Sequence, residues 1–174
     1  MNDYPIQTAN NCCAYSYWVA LRVALQIADP YRLLNFTPKI IENIIGAPAL
    51  PDGEYRILLE KSLPQFSFVE TKVKVLRNLP SVAATWDLGF PHAICLLPNS
   101  SLASSGPGFA YDPSYGNTER VVDHNKCARN VTVECISPES FPYAKWYWRF
   151  NFFRKLLPAP LFINRRLTVE QHEI

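Results

Sequence analysis

The sequence predicts an α+β protein in which helices come first and an antiparallel sheet follows. Apolar side chains recur at helical spacing through the run that begins at Cys12 and Cys13. From Phe66 onward, short β-branched and aromatic runs separated by turn residues replace that pattern. Because the two patterns occupy separate parts of the chain, we expect segregated helical and β halves instead of alternating βαβ units.

The composition is that of one folded domain. The 174 residues are 48% hydrophobic and 18% charged, which argues against intrinsic disorder. A net charge of +2 is too small to indicate a nucleic-acid partner. The N-terminus has no signal-peptide pattern and no long apolar run spans a membrane, so we expect a cytoplasmic protein, or one secreted to a host cell without a signal peptide. The five cysteines show no CxxC spacing and are expected to be reduced.

The first half, residues 1–64, is predicted to hold three helices. The first begins at Cys12, is apolar nearly all round, and stops at the Asp-Pro pair that starts at Asp29. Thr37 is expected as the N-cap of a second, short helix, which Gly46 ends. A third helix is predicted over residues 54–62.

The second half, residues 65–142, is predicted to be mainly β, and residues 1–174 are expected to form a single domain. The expected strands lie at residues 66–75, 82–86, 92–97, 109–112 and 131–136.

The C-terminal segment, residues 143–174, is rich in aromatic and basic side chains. We favour a last strand or helix that packs its rings on the core, because two interior prolines interrupt a continuous amphipathic helix. The alternative is that residues 143–167 contact a partner protein or a membrane surface.

A nucleophilic thiol is the most informative chemical feature of the sequence. Cys12 opens the first helix, whose N-terminal partial charge favours a thiolate. Upstream, the side-chain amide of Gln7 can donate to a developing oxyanion. The thiol also needs a base. His92 begins an apolar strand and suits that role better than His124 in a polar loop or His172 near the C-terminus.

Asp112 completes the candidate site, at the end of a predicted strand and before a Pro-Ser-Tyr-Gly turn. If its strand is the antiparallel neighbour of the His92 strand, the carboxylate can accept a hydrogen bond from the ring and fix the tautomer. Taken singly, His92 is also typical of a structural histidine and Asp112 of a turn start. The order Gln, Cys, His, Asp, with each residue in a suitable element, is what indicates a site.

Three short motifs carry a resemblance to a known family. Residues 12–16 (CCAYS) resemble the active-site helix of papain-like cysteine peptidases, and residues 91–94 (PHAI) resemble the histidine strand of that family. Residues 111–116 (YDPSYG) are similar to the Asp-Pro turn of bacteriocin-leader (double-glycine) peptidases, the group closest in motif. Position 13 departs from both patterns, since it holds cysteine instead of tryptophan or glycine.

The resemblance implies a papain-like fold and a cofactor-independent hydrolase acting on a protein or peptide. Cys12 would be the nucleophile, His92 the acid and base, Asp112 its orienting partner and Gln7 an oxyanion donor. Peptide-bond hydrolysis is the expected activity. The alternatives are a glutamine deamidase or transglutaminase of the kind found among bacterial virulence effectors, and a non-catalytic papain-like interaction module.

The adjacent cysteines leave two candidates for the nucleophile. In the family the glutamine lies six residues before the cysteine, and that spacing favours Cys13; the helix motif favours Cys12. We prefer Cys12, because a shift of one residue rotates a helical side chain by about 100°, whereas the loop after Gln7 can absorb a residue. A metal site formed by Cys12, Cys13 and His92 is a weaker hypothesis, because adjacent cysteines chelate one ion poorly.

Overall fold

A computed structural model describes residues 4–71, 78–86, 89–98, 108–122 and 126–143. These residues form three α-helices followed by a six-stranded antiparallel sheet, which confirms the predicted α+β class. The helices are α1 (Cys12–Ala28), α2 (Pro38–Ile45) and α3 (Arg56–Ser62). The strands are β1 (Phe66–Thr71), β2 (Ser81–Thr85), β3 (His92–Leu96), β4 (Gly108–Asp112), β5 (Asn117–Val122) and β6 (Cys127–Cys135), and a short 3-10 turn (Pro138–Ser140) follows.

Helix α1 is the centre of the core, as its apolar sequence predicts. Of positions 13–25, only Tyr15 is not fully buried. The indole N–H of Trp18 donates to the carbonyl oxygen of Phe36 at 2.7 Å, so this buried ring leaves no donor unsatisfied. The helix packs against α2 and against strands β2, β3, β4 and β6. Its first residue is therefore held in a fixed position relative to the sheet.

The two shorter helices follow their sequence signals with small differences. Thr37 occupies the predicted N-cap of α2, but its side chain makes no capping hydrogen bond, and the helix ends before Gly46. Helix α3 begins at Arg56, two residues after the predicted start. Both helices contact their neighbours along the chain, α2 packing on α1 and α3 on α2 and β1.

The sheet order is β1-β6-β2-β3-β4-β5, and every neighbouring pair is antiparallel. In the β3–β4 pair, Cys95 lies opposite Tyr111. His92 is the first residue of β3 and Asp112 the last of β4, so the antiparallel pairing carries both residues to the same end of these strands.

Both faces of the sheet carry buried apolar residues. One face joins the helices in the main cluster through Ala93 and Cys95, whereas Ile94 and Leu96 belong to a smaller cluster with Ala83. The alternation along β3 explains why its whole sequence is apolar after the histidine. Among the described residues, no helix has the length and apolar character needed to cross a membrane.

Several predictions fall outside the described residues. They are the strand residues Val73 and Val75, the histidines His124 and His172, and the C-terminal segment after Tyr143.

Candidate active site

The two adjacent cysteines at the start of α1 have different surroundings. Cys12 is partly exposed, whereas Cys13 is 1% exposed and belongs to the main core. Burial raises the pKa of the Cys13 thiol far above its ordinary value, and the neighbouring Cys12 acts in the same direction. Cys13 is therefore a neutral packing residue at physiological pH, and Cys12 is the accessible thiol.

His92 and Asp112 form a buried pair. The ring Nε2 of His92 lies 2.8 Å from Oδ1 of Asp112, and the exposed fractions of the two side chains are 5% and 0%. His92 begins β3 and Asp112 ends β4, and because the two strands are antiparallel neighbours, both residues lie towards the same end of the pair. Because Nε2 is engaged by the carboxylate, Nδ1 is the ring nitrogen left to act on another group.

The charge of His92 is set by opposing effects. Burial disfavours the protonated ring, but hydrogen bonds to Asp112 and to the Cys12 thiol outweigh it and raise the pKa of His92 to about 9. At neutral pH the ring is therefore an imidazolium in contact with Cys12.

Asp112 also builds the turn that follows it. Its Oδ1 accepts the backbone N–H of Ser114 at 2.9 Å, and its carbonyl oxygen accepts the N–H groups of Tyr115 at 3.1 Å and Gly116 at 2.8 Å. Asp112 is therefore a turn-initiating residue whose carboxylate also contacts the His92 ring. The turn holds the carboxylate in place for the imidazole.

Gln7 lies against the same turn. Its backbone N–H donates to the carbonyl oxygen of Pro113 at 2.8 Å. Its side-chain Nε2 donates to Ser114 Oγ at 3.4 Å, and that hydroxyl is itself 3.4 Å from His92 Nε2. The structure therefore brings Gln7, His92 and Asp112 together, and His92 connects them to Cys12.

The segment before Gln7 is tied to the turn by a second set of contacts. The hydroxyl of Tyr111 donates to the carbonyl oxygen of Pro5 at 2.5 Å, and the ring of Tyr4 lies 5.5 Å from that of Tyr111. Gly116 has a φ of 68°, and a Cβ there would lie 2.6 Å from Ile6. Glycine is required at this point both by the backbone conformation and by the close approach. We call residues 4–7 the N-terminal strap.

Sequence reasoning missed Ser114 and the anchoring role of Tyr111. A serine in a turn and a tyrosine in a strand give no separate signal, since their contacts with residues 5 and 7 span more than a hundred positions. Within the described residues, no group of three or more His, Cys, Asp or Glu side chains is arranged to hold a metal ion. The metal hypothesis gains no support, because Cys13 is in the core while Cys12 contacts His92.

No protein-family model matches the chain, and no curated protein is significantly similar to it.

Proposed function

We propose that the protein is a papain-like thiol enzyme that catalyses acyl transfer through Cys12, His92 and Asp112, with hydrolysis of a peptide bond as its activity. One observation carries the proposal. His92 contacts the accessible Cys12 while its Nε2 is held 2.8 Å from the buried carboxylate of Asp112. Acyl transfer requires a nucleophile, a base in contact with it and a group that orients the base, and these three residues make contacts in that order.

The reaction begins with attack of the Cys12 thiolate on the substrate carbonyl. The tetrahedral oxyanion receives hydrogen bonds from the Gln7 side chain and the backbone N–H of Cys12. The C–N bond then breaks as the His92 imidazolium gives its proton to the leaving amine, which leaves a thioester on Cys12. Water, deprotonated by His92, attacks the thioester, releases the carboxylate product and restores the thiolate–imidazolium pair. Asp112 holds the ring throughout.

Cys12 is the proposed nucleophile because it alone of the two cysteines is both accessible and in contact with the base. Cys13 has its thiol in the core, where burial keeps it neutral. The five-residue separation of Gln7 and Cys12 then requires the intervening loop to differ from the usual spacing, and its backbone bond to Pro113 shows how Gln7 is held.

Alkylation by iodoacetamide at pH 6 tests the nucleophile directly. We expect Cys12 to react much faster than free cysteine, because the imidazolium favours its thiolate. Peptide mass spectrometry identifies the modified residue. The fast reaction should disappear in Cys12→Ala and persist in Cys13→Ala, a matched control one position away. A fast reaction that survives in Cys12→Ala and is lost in Cys13→Ala would overturn the assignment.

Incubation with candidate protein substrates then separates the reaction types. Intact-mass measurement of a cut chain supports the peptidase proposal. A mass gain of about 1 Da on an uncut substrate would instead mean deamidation by the same triad, in which ammonia replaces the peptide amine as leaving group. A slow, free-cysteine-like thiol would support the non-catalytic module.

A further inference from the structure

A cleft of about 540 Å³ lies beside the start of α1. Binding pockets for small groups commonly span roughly 300–1,000 Å³, so the cleft has room for a long side chain. It is lined by residues 8–11, Tyr15, Lys39, Glu42, Ala47 and Pro48. Residues 8–11 connect Gln7 to Cys12, and the cleft therefore adjoins the proposed nucleophile.

The cleft contains one sheltered negative charge. The Glu42 side chain is 18% exposed, whereas the Lys39 side chain is 64% exposed. Glu42 Oε2 accepts the side-chain N–H of Asn11 at 3.0 Å, and Oε1 accepts Lys39 Nζ at 3.2 Å. The Asn11 bond, followed by the Lys39 bond, lowers the pKa of Glu42, which keeps it ionised. Because the Lys39 side chain is itself largely solvated, its ion pair with Glu42 contributes little, so another cation can take the place of Lys39.

The position of the cleft indicates which part of a substrate enters it. In the tetrahedral intermediate, the leaving group faces His92 and the oxyanion faces Gln7. The lining includes the loop from Thr8 to Asn11, and it does not include His92 or the turn after Asp112. A chain that occupies the cleft therefore belongs to the acyl side of the attacked carbonyl.

We propose that this cleft binds a lysine or arginine side chain of the substrate, on the acyl side of the bond that Cys12 attacks. The aliphatic stem lies along Tyr15, Ala47 and Pro48, and the cationic end pairs with Glu42. The inference rests on the proposed function, because Cys12 must be the reacting thiol.

Electrophilic peptides test this preference without knowledge of the natural substrate. The probes are N-acetylated tripeptidyl acyloxymethyl ketones made of alanine, with lysine, norleucine or glutamate placed in turn at each position. The second-order rate constant of Cys12 alkylation is measured by intact mass. At one position we expect lysine to exceed norleucine by about tenfold or more, as for a hydrogen-bonded charge pair.

Substitutions then assign the preference to the cleft. In Glu42→Gln the lysine-to-norleucine ratio should fall to about one, while the exposed Glu54→Gln gives the same charge change away from the cleft and should keep the full ratio. Lys39→Gln should raise the ratio, since it removes the competing cation. Circular dichroism checks that each variant is folded.

Each result has a definite meaning. Equal rates for lysine and norleucine at all positions, or a preference for glutamate, would overturn the cleft proposal while fast iodoacetamide alkylation left the proposed function standing. Slow alkylation of Cys12 by iodoacetamide would overturn both. A lysine preference that persists in Glu42→Gln would also reject the assignment to this cleft.

Discussion

The two halves of the candidate site are built in different ways. The sheet half consists of His92 and Asp112, both almost fully buried and 2.8 Å apart on paired strands. The loop half consists of Gln7 in the N-terminal strap, whose side chain is partly exposed and reaches Ser114 at 3.4 Å. The sheet half thus holds the protonated ring in place. The loop half keeps its donor weakly engaged, and under the proposed mechanism a developing oxyanion would replace the serine hydroxyl.

Replacing Gln7 should separate the two halves most strongly. We expect Gln7→Ala to slow hydrolysis of an N-blocked lysine p-nitrophenyl ester by about 10²–10³-fold, because one oxyanion donor is lost. Iodoacetamide alkylation of Cys12 should be nearly unchanged, since alkylation forms no oxyanion. Release of p-nitrophenol and intact mass measure the two rates. Gln26→Ala, at the far end of α1, is the matched control. Equal loss of both rates would mean that Gln7 acts through the thiol.

Loss of the proton from His92 in the sheet half should lower the free energy of unfolding as pH rises above neutrality. Since the pKa of His92 is raised from 6.5 to about 9, its protonation stabilises the fold fully below pH 6.5, and this contribution is lost as pH rises through 9. Between pH 6.5 and 8 we expect a loss of about 1.5 kcal/mol in the free energy of unfolding. Urea unfolding of the protein and of His92→Asn measures it. If the free energy of unfolding of His92→Asn falls with pH as steeply as that of the parent protein, His92 is not the group responsible.

Asp112→Asn should lower the protonated fraction of His92, the charged residue of the sheet half. The amide cannot stabilise the imidazolium as the carboxylate does, so the pKa of His92 falls. A decrease of one pKa unit lowers the ratio of the thiolate–imidazolium pair to the neutral pair tenfold, so alkylation of Cys12 at neutral pH should fall by up to about tenfold. The measurement is the pH profile of alkylation. Asp52→Asn, which changes an exposed aspartate, should keep the parent profile. An unchanged profile in Asp112→Asn would show that the carboxylate only shapes the turn.

Gly116→Ala should disturb the loop half alone. A left-handed backbone costs an alanine about 1 kcal/mol, and the added Cβ would also press on Ile6 of the N-terminal strap. Gly89→Ala is a close control, because Gly89 has a φ of 83° with nothing within 4 Å of its Cβ position. In urea unfolding, Gly116→Ala should lose more stability than Gly89→Ala, because both adopt the left-handed backbone but only the Cβ at position 116 meets Ile6. Only Gly116→Ala should also slow ester hydrolysis, and an equal effect of both on the rate would exclude a role for the strap contact.

The fold class and the first two helices could be predicted because their signals are local. The long apolar run defines α1, and Thr37 followed by Pro38 marks the start of α2. Strand β5 was missed because Asn117–Val122 begins with polar residues, and its pairing with β4 decides its structure. The first half of β6 was missed for the same reason, since Cys127–Asn130 has no apolar alternation.

The same contrast between local signals and long-range contacts applies to the candidate site. Cys12, His92 and Asp112 could be proposed from the sequence because each belongs to a short recognisable motif. Ser114 and Glu42 could not, since a turn serine and a helical glutamate are distinguished only by contacts made across the fold. The preference for Cys12 over Cys13 came from helix geometry, and the burial of Cys13 gives it physical support.

The hydrogen bond between Tyr111 and Pro5 joins positions 106 residues apart. During synthesis the thiol leaves the ribosome before the Asp-Pro turn does, and the backbone N–H of Gln7 cannot bond to Pro113 until that turn has been translated and has folded. Because synthesis runs from the N-terminus, a nascent chain carries a bare sulfhydryl without the groups that would activate it. Under the proposed mechanism, reactivity towards carbonyl groups therefore arises only after the turn at Asp112 has been made, a hundred positions beyond Cys12.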